Sequence, residues 1–295
     1  MSKEKPRMFI IGSRGFLGSY AARAAKSEFA VIGGNRTATG HADEVLVDIR
    51  DEDSVKAAFQ TAQPDVVMLF AAHSDIDYCE QHPEEAYAVN VRGVEHVANA
   101  CDRRKARLVF TSTGAVFDGR RHGYSEDSPV SPVSVYGKTK AEAEVLALAL
   151  GPFAIVVRIA LGIGFAGRSG TNALLDSLKA RWASGQSVNL PTFEQRNPID
   201  ATTLSRFLLD LLEKQETQGI FHVGSGEPIS RYDLGLKLSA RMGYADCVRP
   251  QLEPVPGRAP RGPDHFLLTE KLRMTCRTAI PTCDQVIERC FDGVA

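Results

Sequence analysis

The chain has 295 residues, 43% of them hydrophobic and 24% charged, with a formal net charge of −1. That length suits one large α/β domain with a smaller lobe, and the charge gives no case for a nucleic-acid or anionic-membrane partner. No apolar run approaches the ~20 residues of a membrane span, and the apolar stretch 8–11 behind the basic start is too short for a signal peptide, so a cytoplasmic protein is expected.

In chain order, RMFIIG reads as a strand and GFLGSYAARAAKS as the helix after it. FAVIGG and EVLVDI read as the second and third strands. DEDSVKAAFQTA has an acidic start and helical spacing of Val55, Ala58 and Phe59. PDVVMLFAA is a near-continuous apolar strand, and a long helix opened by Pro83 follows it. ARLVFTST, VYGKTKAEAEVLALAL and PFAIVVRIA are the next strand, helix and strand. Strands that are apolar without alternation are buried on both faces, as in a parallel sheet covered by helices. The expected fold is α/β: a doubly wound parallel sheet of Rossmann type with a smaller C-terminal substrate lobe. Residues 1–165 are expected to form the dinucleotide-binding domain, with elements near 196–224 returning to the sheet. Residues 166–295 are expected to form most of the substrate-binding lobe, interleaved with it. Within them, residues 161–171 are glycine-rich, and RPQLEPVPGRAPRGPDH reads as an irregular loop rich in proline and arginine. The six cysteines form no C-x-x-C pair, so buried free thiols are expected, with no disulfide and no metal site.

IIGSRGFLGSY places Gly12, Gly15 and Gly18 directly after a strand, with Phe16 and Leu17 opening a helix. Glycines at this spacing permit a tight turn, close backbone approach to a pyrophosphate, and helix–strand packing. The helix N-terminus then offers free N–H groups to the phosphates. A dinucleotide site that binds a ribose 2′-hydroxyl carries a carboxylate about 20 residues on. Here the second strand ends Gly33, Gly34, Asn35, Arg36. Arg36, with Arg14 from the glycine loop, suits a 2′-phosphate instead, and Asn35 can donate to it, so NADP(H) is the expected cofactor. Asp48 and Ile49, ending the third strand, can hold the adenine; Asp48 also suits a helix N-cap.

SVYGKTKAEAE puts Tyr136 and Lys140 four apart on one helix face. An ammonium beside a phenol favours the phenolate and is expected to draw the tyrosine pKa toward neutrality. The phenol can then exchange a proton with a carbonyl or carbinol oxygen. Lys140 can also reach the hydroxyls of a nicotinamide ribose. Thr111, Ser112 and Thr113 stand at a strand's C-terminal end, where ligands bind in open α/β sheets.

Together these pieces resemble the extended short-chain dehydrogenase/reductase superfamily. STGAVFDG resembles the S-T-D-Y-V-F-D-G stretch of dTDP-4-dehydrorhamnose reductases, and FAAHSDIDYCEQHPEEAYAVNVRG resembles another segment of that group. The resemblance implies that Thr113 is the catalytic hydroxyl, Tyr136 the general acid and Lys140 its partner. It implies that Ala71, Ala72 and His73 line the cofactor and that Asn90 lies beneath the site. Gly114 and Ala115 depart from the group's Asp-Tyr, so the rhamnose precursor is expected to be a poor ligand.

Arg196, Arg258 and Arg261 are candidate phosphate contacts for a nucleotide sugar. The first expectation is an NADPH-dependent reductase of a keto sugar with a nucleotide-linked small-molecule substrate. The alternatives are a sugar-nucleotide epimerase or dehydratase, and a non-catalytic NADP-binding regulatory subunit. A homodimer is left open.

Overall fold

The computed structural model describes residues 4–37, 40–166 and 173–292. Part of the glycine-rich stretch expected at 161–171 lies outside the described residues. The chain alternates β1 (Arg7–Ile11), α1 (Phe16–Ala25), β2 (Ala30–Asn35), β3 (Glu44–Leu46), α2 (Glu52–Ala62) and β4 (Val66–Leu69). Next come α3 (Ile76–Gln81), α4 (Pro83–Tyr87), a π-helical turn over Ala88–Arg92, α5 (Gly93–Arg104), β5 (Arg107–Thr113), α6 (Val135–Leu148) and β6 (Ala154–Ile159).

The strands form a seven-stranded parallel sheet in the order β11-β6-β5-β4-β1-β2-β3, where β11 (Gly219–Val223) pairs with β6. Side chains alternate across a strand, and β1 shows why both faces must be covered. Met8 and Ile10 enter one core with Val109, Ile155 and Val157, while Phe9 and Ile11 enter the other with Val67, Leu108 and Phe110. All of these are buried. The first core continues without a break into Leu175, Trp182, Leu190 and Leu234 of the second half, so the smaller lobe is packed onto one face of the sheet.

That lobe begins with β7 (Leu161–Ile163), α7 (Leu174–Ala183), β8 (Val188–Pro191), β9 (Gln195–Arg196), β10 (Pro198–Asp200) and α8 (Ala201–Glu213). After β11 it continues with β12 (Ile229–Ser230), α9 (Arg231–Arg241), β13 (Val248–Gln251) and β14 (Asp264–His265). A small sheet of order β12-β9-β14 matters most for the site. Its register sets Arg196 opposite both Ile229 and His265, and Arg231 N–H extends the ladder by donating to Glu194 O at 3.0 Å. Residues separated by some seventy positions in sequence are thereby held side by side.

The sheet reverses its winding at β1, between β2 and β4. A ligand crevice is expected outside the carboxyl ends of the strands at such a switch point.

Candidate active site

A cleft of about 590 Å³ opens there. Gly12, Gly15, Phe16, Leu17, Gly18, Ala71 and Ala72 line one end, Thr113, Tyr136 and Lys140 its middle, and Glu194, Arg196, Arg231, Arg261 and His265 the other end. Gly12 has φ +89°, and a Cβ there would sit 2.9 Å from Ala71 N. A Cβ on Gly18 would lie 2.1 Å from Gly12 O, so the loop closes on α1 only with glycine at both places. This is a cradle of main chain opening onto a helix N-terminus, which fits a pyrophosphate.

The adenosine-side residues expected from the sequence lie outside this cleft: Arg14, Asn35, Arg36, Asp48, Ile49 and His73 are not among its lining residues. Asn35 braces the glycine loop, accepting from Arg14 N at 3.1 Å and donating to Ser13 Oγ at 2.8 Å. Arg14 forks onto Glu44 of β3, with contacts of 3.2 and 2.9 Å. A carboxylate therefore does stand near the end of β2, brought by the neighbouring strand rather than by positions 33–36. Arg36 is exposed, and its side chain makes no hydrogen bond or ion pair among the described residues. Asp48 is taken by Arg50, which donates from Nε and Nη2 at 2.9 and 2.5 Å. These bonds, chiefly the Arg50 side chain, hold the Asp48 carboxyl below its usual value. Asp51 rather than Asp48 caps α2. Ile49 is buried against Gly93, where a Cβ would meet it at 2.7 Å.

His73 and Asn90 act through the backbone. Asn90 accepts from His73 N at 2.9 Å and donates from Nδ2 to His73 O at 2.9 Å and to Thr139 Oγ1 at 3.1 Å. It is fully buried in the middle of the π-helical turn, a feature that recurs at functional sites. Asn90 thus ties the loop after β4 to the helix that carries Tyr136 and Lys140.

Helix α6 starts where Ser134 Oγ accepts from Gly137 N at 3.1 Å. Two turns later Glu144 receives Ser112 Oγ at 2.5 Å and a two-point Arg158 contact at 2.9 and 2.7 Å, all of it buried. This pair pins α6 to β5 and β6 directly behind Thr113.

The electrostatics of the central set differ from the expectation. Burial pushes the Tyr136 phenol up to about 12, opposed by a hydrogen bond from Thr113. Burial also pushes Lys140 down to about 7, opposed by the charge of Glu144. The expected drop of the tyrosine pKa is therefore corrected: desolvation is the largest influence on the phenol, and it raises the pKa. Lys140 spends its contacts elsewhere, donating to Thr111 O at 2.7 Å and lying 4.0 Å over the Phe110 ring. A phenol kept protonated is suited to giving a proton rather than taking one.

The Lys140 shift has a signed consequence for stability. Its folded pKa lies below the unfolded ~10.4, so between about pH 7 and ~10 the unfolded chain holds a proton the folded chain lacks. This group's contribution to unfolding free energy must rise with pH there, by at most about 1.4 kcal/mol per pH unit. In the protein without cofactor, the stability advantage of Lys140→Met over wild type is expected to shrink between pH 7 and pH ~9.5 in urea unfolding. A constant difference contradicts the buried-ammonium assignment.

At the far end, Arg196 is buried and donates to Gln195 O, Gly262 O and Pro263 O at 2.7 to 3.1 Å, with Glu194 at 3.4 Å. Burial brings its pKa down to about 10. Arg258 and Arg261 both fork onto Asp77 of α3, at 3.2 and 2.8 Å, and Ala259 N donates to the same carboxylate at 2.9 Å. These bonds, led by Arg261, hold Asp77 well below its usual value. Such a depressed carboxyl stabilises the fold above its unfolded pKa and loses that contribution as pH falls through the folded one. Asp77→Asn is expected to cost about 1 kcal/mol at neutral pH, discounted because Asp77 is one-third exposed. The gap to wild type should close below about pH 4 in denaturant titrations, and a gap independent of pH contradicts the latch.

Sequence reasoning missed Arg231, Glu194 and His265. The Ser230-x-x-Asp233 cap signal could have placed Arg231 at the first position of a helix. Nothing local to the sequence places it beside Arg196.

This fold and cleft define a nucleotide-binding protein of the extended short-chain dehydrogenase/reductase class. Residues 6–295 match the family described as RmlD substrate binding domain, and the chain belongs to that family. The chain is 30% identical to a probable low-salt glycan biosynthesis reductase of Haloferax volcanii, over 83% of this chain and 87% of that one. It is 31% identical to a dTDP-4-dehydrorhamnose reductase of Aggregatibacter actinomycetemcomitans, over 79% and 78%. It is 29% identical to a methionine adenosyltransferase 2 subunit beta of Xenopus laevis, over 86% and 78%. The fold superposes with TM-score 0.88 on a dTDP-4-dehydrorhamnose reductase of Bacillus anthracis solved in complex with NADP, at 22% identity and over 99% of both chains. Among the described residues no helix is long and apolar enough to cross a membrane.

Proposed function

We propose that the chain is an NADPH-dependent oxidoreductase that reduces the keto group of a nucleotide-linked sugar. One observation carries this: a single cleft joins a glycine phosphate cradle, a hydroxyl–phenol–ammonium set and an arginine-rich end. NADPH, when bound, supplies the hydride. Gly12, Gly15, Phe16, Leu17 and Gly18 would hold its pyrophosphate, Ala71 and Ala72 would flank it, and Lys140 would take the ribose hydroxyls. Tyr136 gives its phenolic proton to the substrate oxygen as the carbonyl carbon accepts hydride, so the product is the alcohol. Thr113 orients both oxygens, and its existing hydrogen bond to Tyr136 favours the phenolate left behind. The phenolate is reprotonated from solvent.

The sugar is expected to differ from the rhamnose precursor. A Cβ on Gly114 would come within 3.2 Å of His265 Cβ, so the Asp of the related reductases fits here only if His265 gives by a few tenths of an ångström. That same departure favours a second reading, an NADP-binding regulatory subunit, in line with the similarity to the methionine adenosyltransferase 2 subunit beta. Retention of Thr113, Tyr136 and Lys140 in one cleft supports catalysis over it. The test is NADPH consumption with a panel of nucleotide-linked keto sugars. Turnover of a panel member, with the rhamnose precursor poor, is expected. Tight NADPH binding with no turnover of any member favours the regulatory subunit.

A further inference from the structure

Four cationic side chains line the cleft, Lys140, Arg196, Arg231 and Arg261, against the single carboxylate of Glu194. Three of the four are committed. Lys140 is bound to Thr111 O, Arg196 to three backbone carbonyls and Glu194, and Arg261 to both oxygens of Asp77 and to Ala259 O. Arg231 is different. Its backbone is fixed by the N–H donated to Glu194 O and by the start of α9 behind Ser230. Its guanidinium makes no hydrogen bond or ion pair among the described residues, and the residue is half-buried on the cleft wall, within electrostatic reach of Glu194, Arg258 and Arg261. A guanidinium on the cleft wall whose donors no protein group uses is free to take an anion.

We propose that Arg231 is the anion anchor of the cleft and takes a phosphate of the ligand by a two-point contact. The three arginines singled out from the sequence serve instead to shape the pocket: Arg196 as a brace across β9, and Arg258 and Arg261 as the latch to Asp77. A guanidinium fork matches two phosphate oxygens, whereas a lysine supplies only a point charge. His265 also lines the cleft, and its Nε2 is buried without a hydrogen-bond partner. Burial pushes His265 down to about 3, so the ring is neutral and leaves Arg231 as the charged contact. This rests on the reading of the cleft as a nucleotide-sugar site.

The test is calorimetric titration of inorganic pyrophosphate, and separately of uridine diphosphate, into the full chain saturated with NADP so that the glycine loop is filled. Arg231→Ala is expected to weaken both by roughly 10- to 100-fold, the scale of one charge-assisted pair. Arg231→Lys should recover only part of the loss. Arg196→Ala, in case it fails to fold, is read beside its melting temperature; Arg258→Ala is expected to leave pyrophosphate affinity within about threefold. Wild-type binding that Arg231→Ala leaves unchanged overturns the anchor while the nucleotide-sugar reading stands. Failure of the wild type to bind either diphosphate overturns both.

Discussion

Tyr136→Phe is expected to lower turnover of the best carbonyl substrate by roughly 10²-fold or more while leaving NADPH affinity in place. The substitution keeps the ring and removes only the proton. The size of the loss is the scale of general acid catalysis. A phenol pushed up to about 12 is almost wholly protonated at neutral pH, so wild type has its acid in the required form and the variant has none. Thr113→Val should also fall, because it removes the hydroxyl that bonds the phenol and orients the substrate oxygen. The buried Glu144–Arg158 pair behind Thr113 keeps the strand end in place in both variants, so neither loss should come from collapse of the site. Wild-type rates in both variants contradict the catalytic assignment of Tyr136 and Thr113.

Arg36→Ala is expected to lose NADPH affinity by roughly 10-fold or somewhat more and to leave NADH affinity nearly unchanged. The 2′-phosphate carries about two negative charges, as phosphate monoesters do near neutrality. Of the three groups the sequence offers it, Asn35 is spent on Ser13 and the glycine loop, and Arg14 is spent on Glu44. Arg36 is left as the uncommitted cation. It is exposed, so the effect should sit at the low end of a charge-assisted pair and shrink as salt rises. Glu44→Gln should act in the opposite sense, releasing Arg14 and removing a negative charge, and so strengthen NADPH binding with little change for NADH. Fluorescence titration of the two reduced cofactors measures all of this. Equal loss of both cofactors in Arg36→Ala shows that the phosphate is not read at this position.

Much of the fold is legible in the sequence because it depends on local rules. The unalternating apolar runs of β1, β4, β5 and β6 announce burial on two faces, and the glycine loop announces itself because Gly12 and Gly18 admit no side chain. Tyr136 and Lys140 are legible because a helix fixes their spacing. The rest of the site is made by contacts that spacing does not encode. Glu44 reaches Arg14 only because β3 pairs with β2, and Asp77 reaches Arg261 across 184 positions. Arg231 and His265 join Arg196 through the register of a three-stranded sheet whose strands are two residues long. The tyrosine pKa was expected to fall because the sequence shows the ammonium and not the desolvation. Charge proximity can be read from i, i+4 spacing, whereas burial belongs to the whole fold.

The central claim is that hydride passes from NADPH to a carbonyl carbon of the ligand in this cleft. It is tested most directly by running the reaction with NADPH deuterated at the transferable nicotinamide position and weighing the sugar product by mass spectrometry. One deuterium per product molecule is expected, bound to the new carbinol carbon, with Tyr136→Phe slowing its appearance and not changing its position. Product formed without deuterium would place the chain among epimerases or dehydratases that return the hydride they take, and would contradict the account.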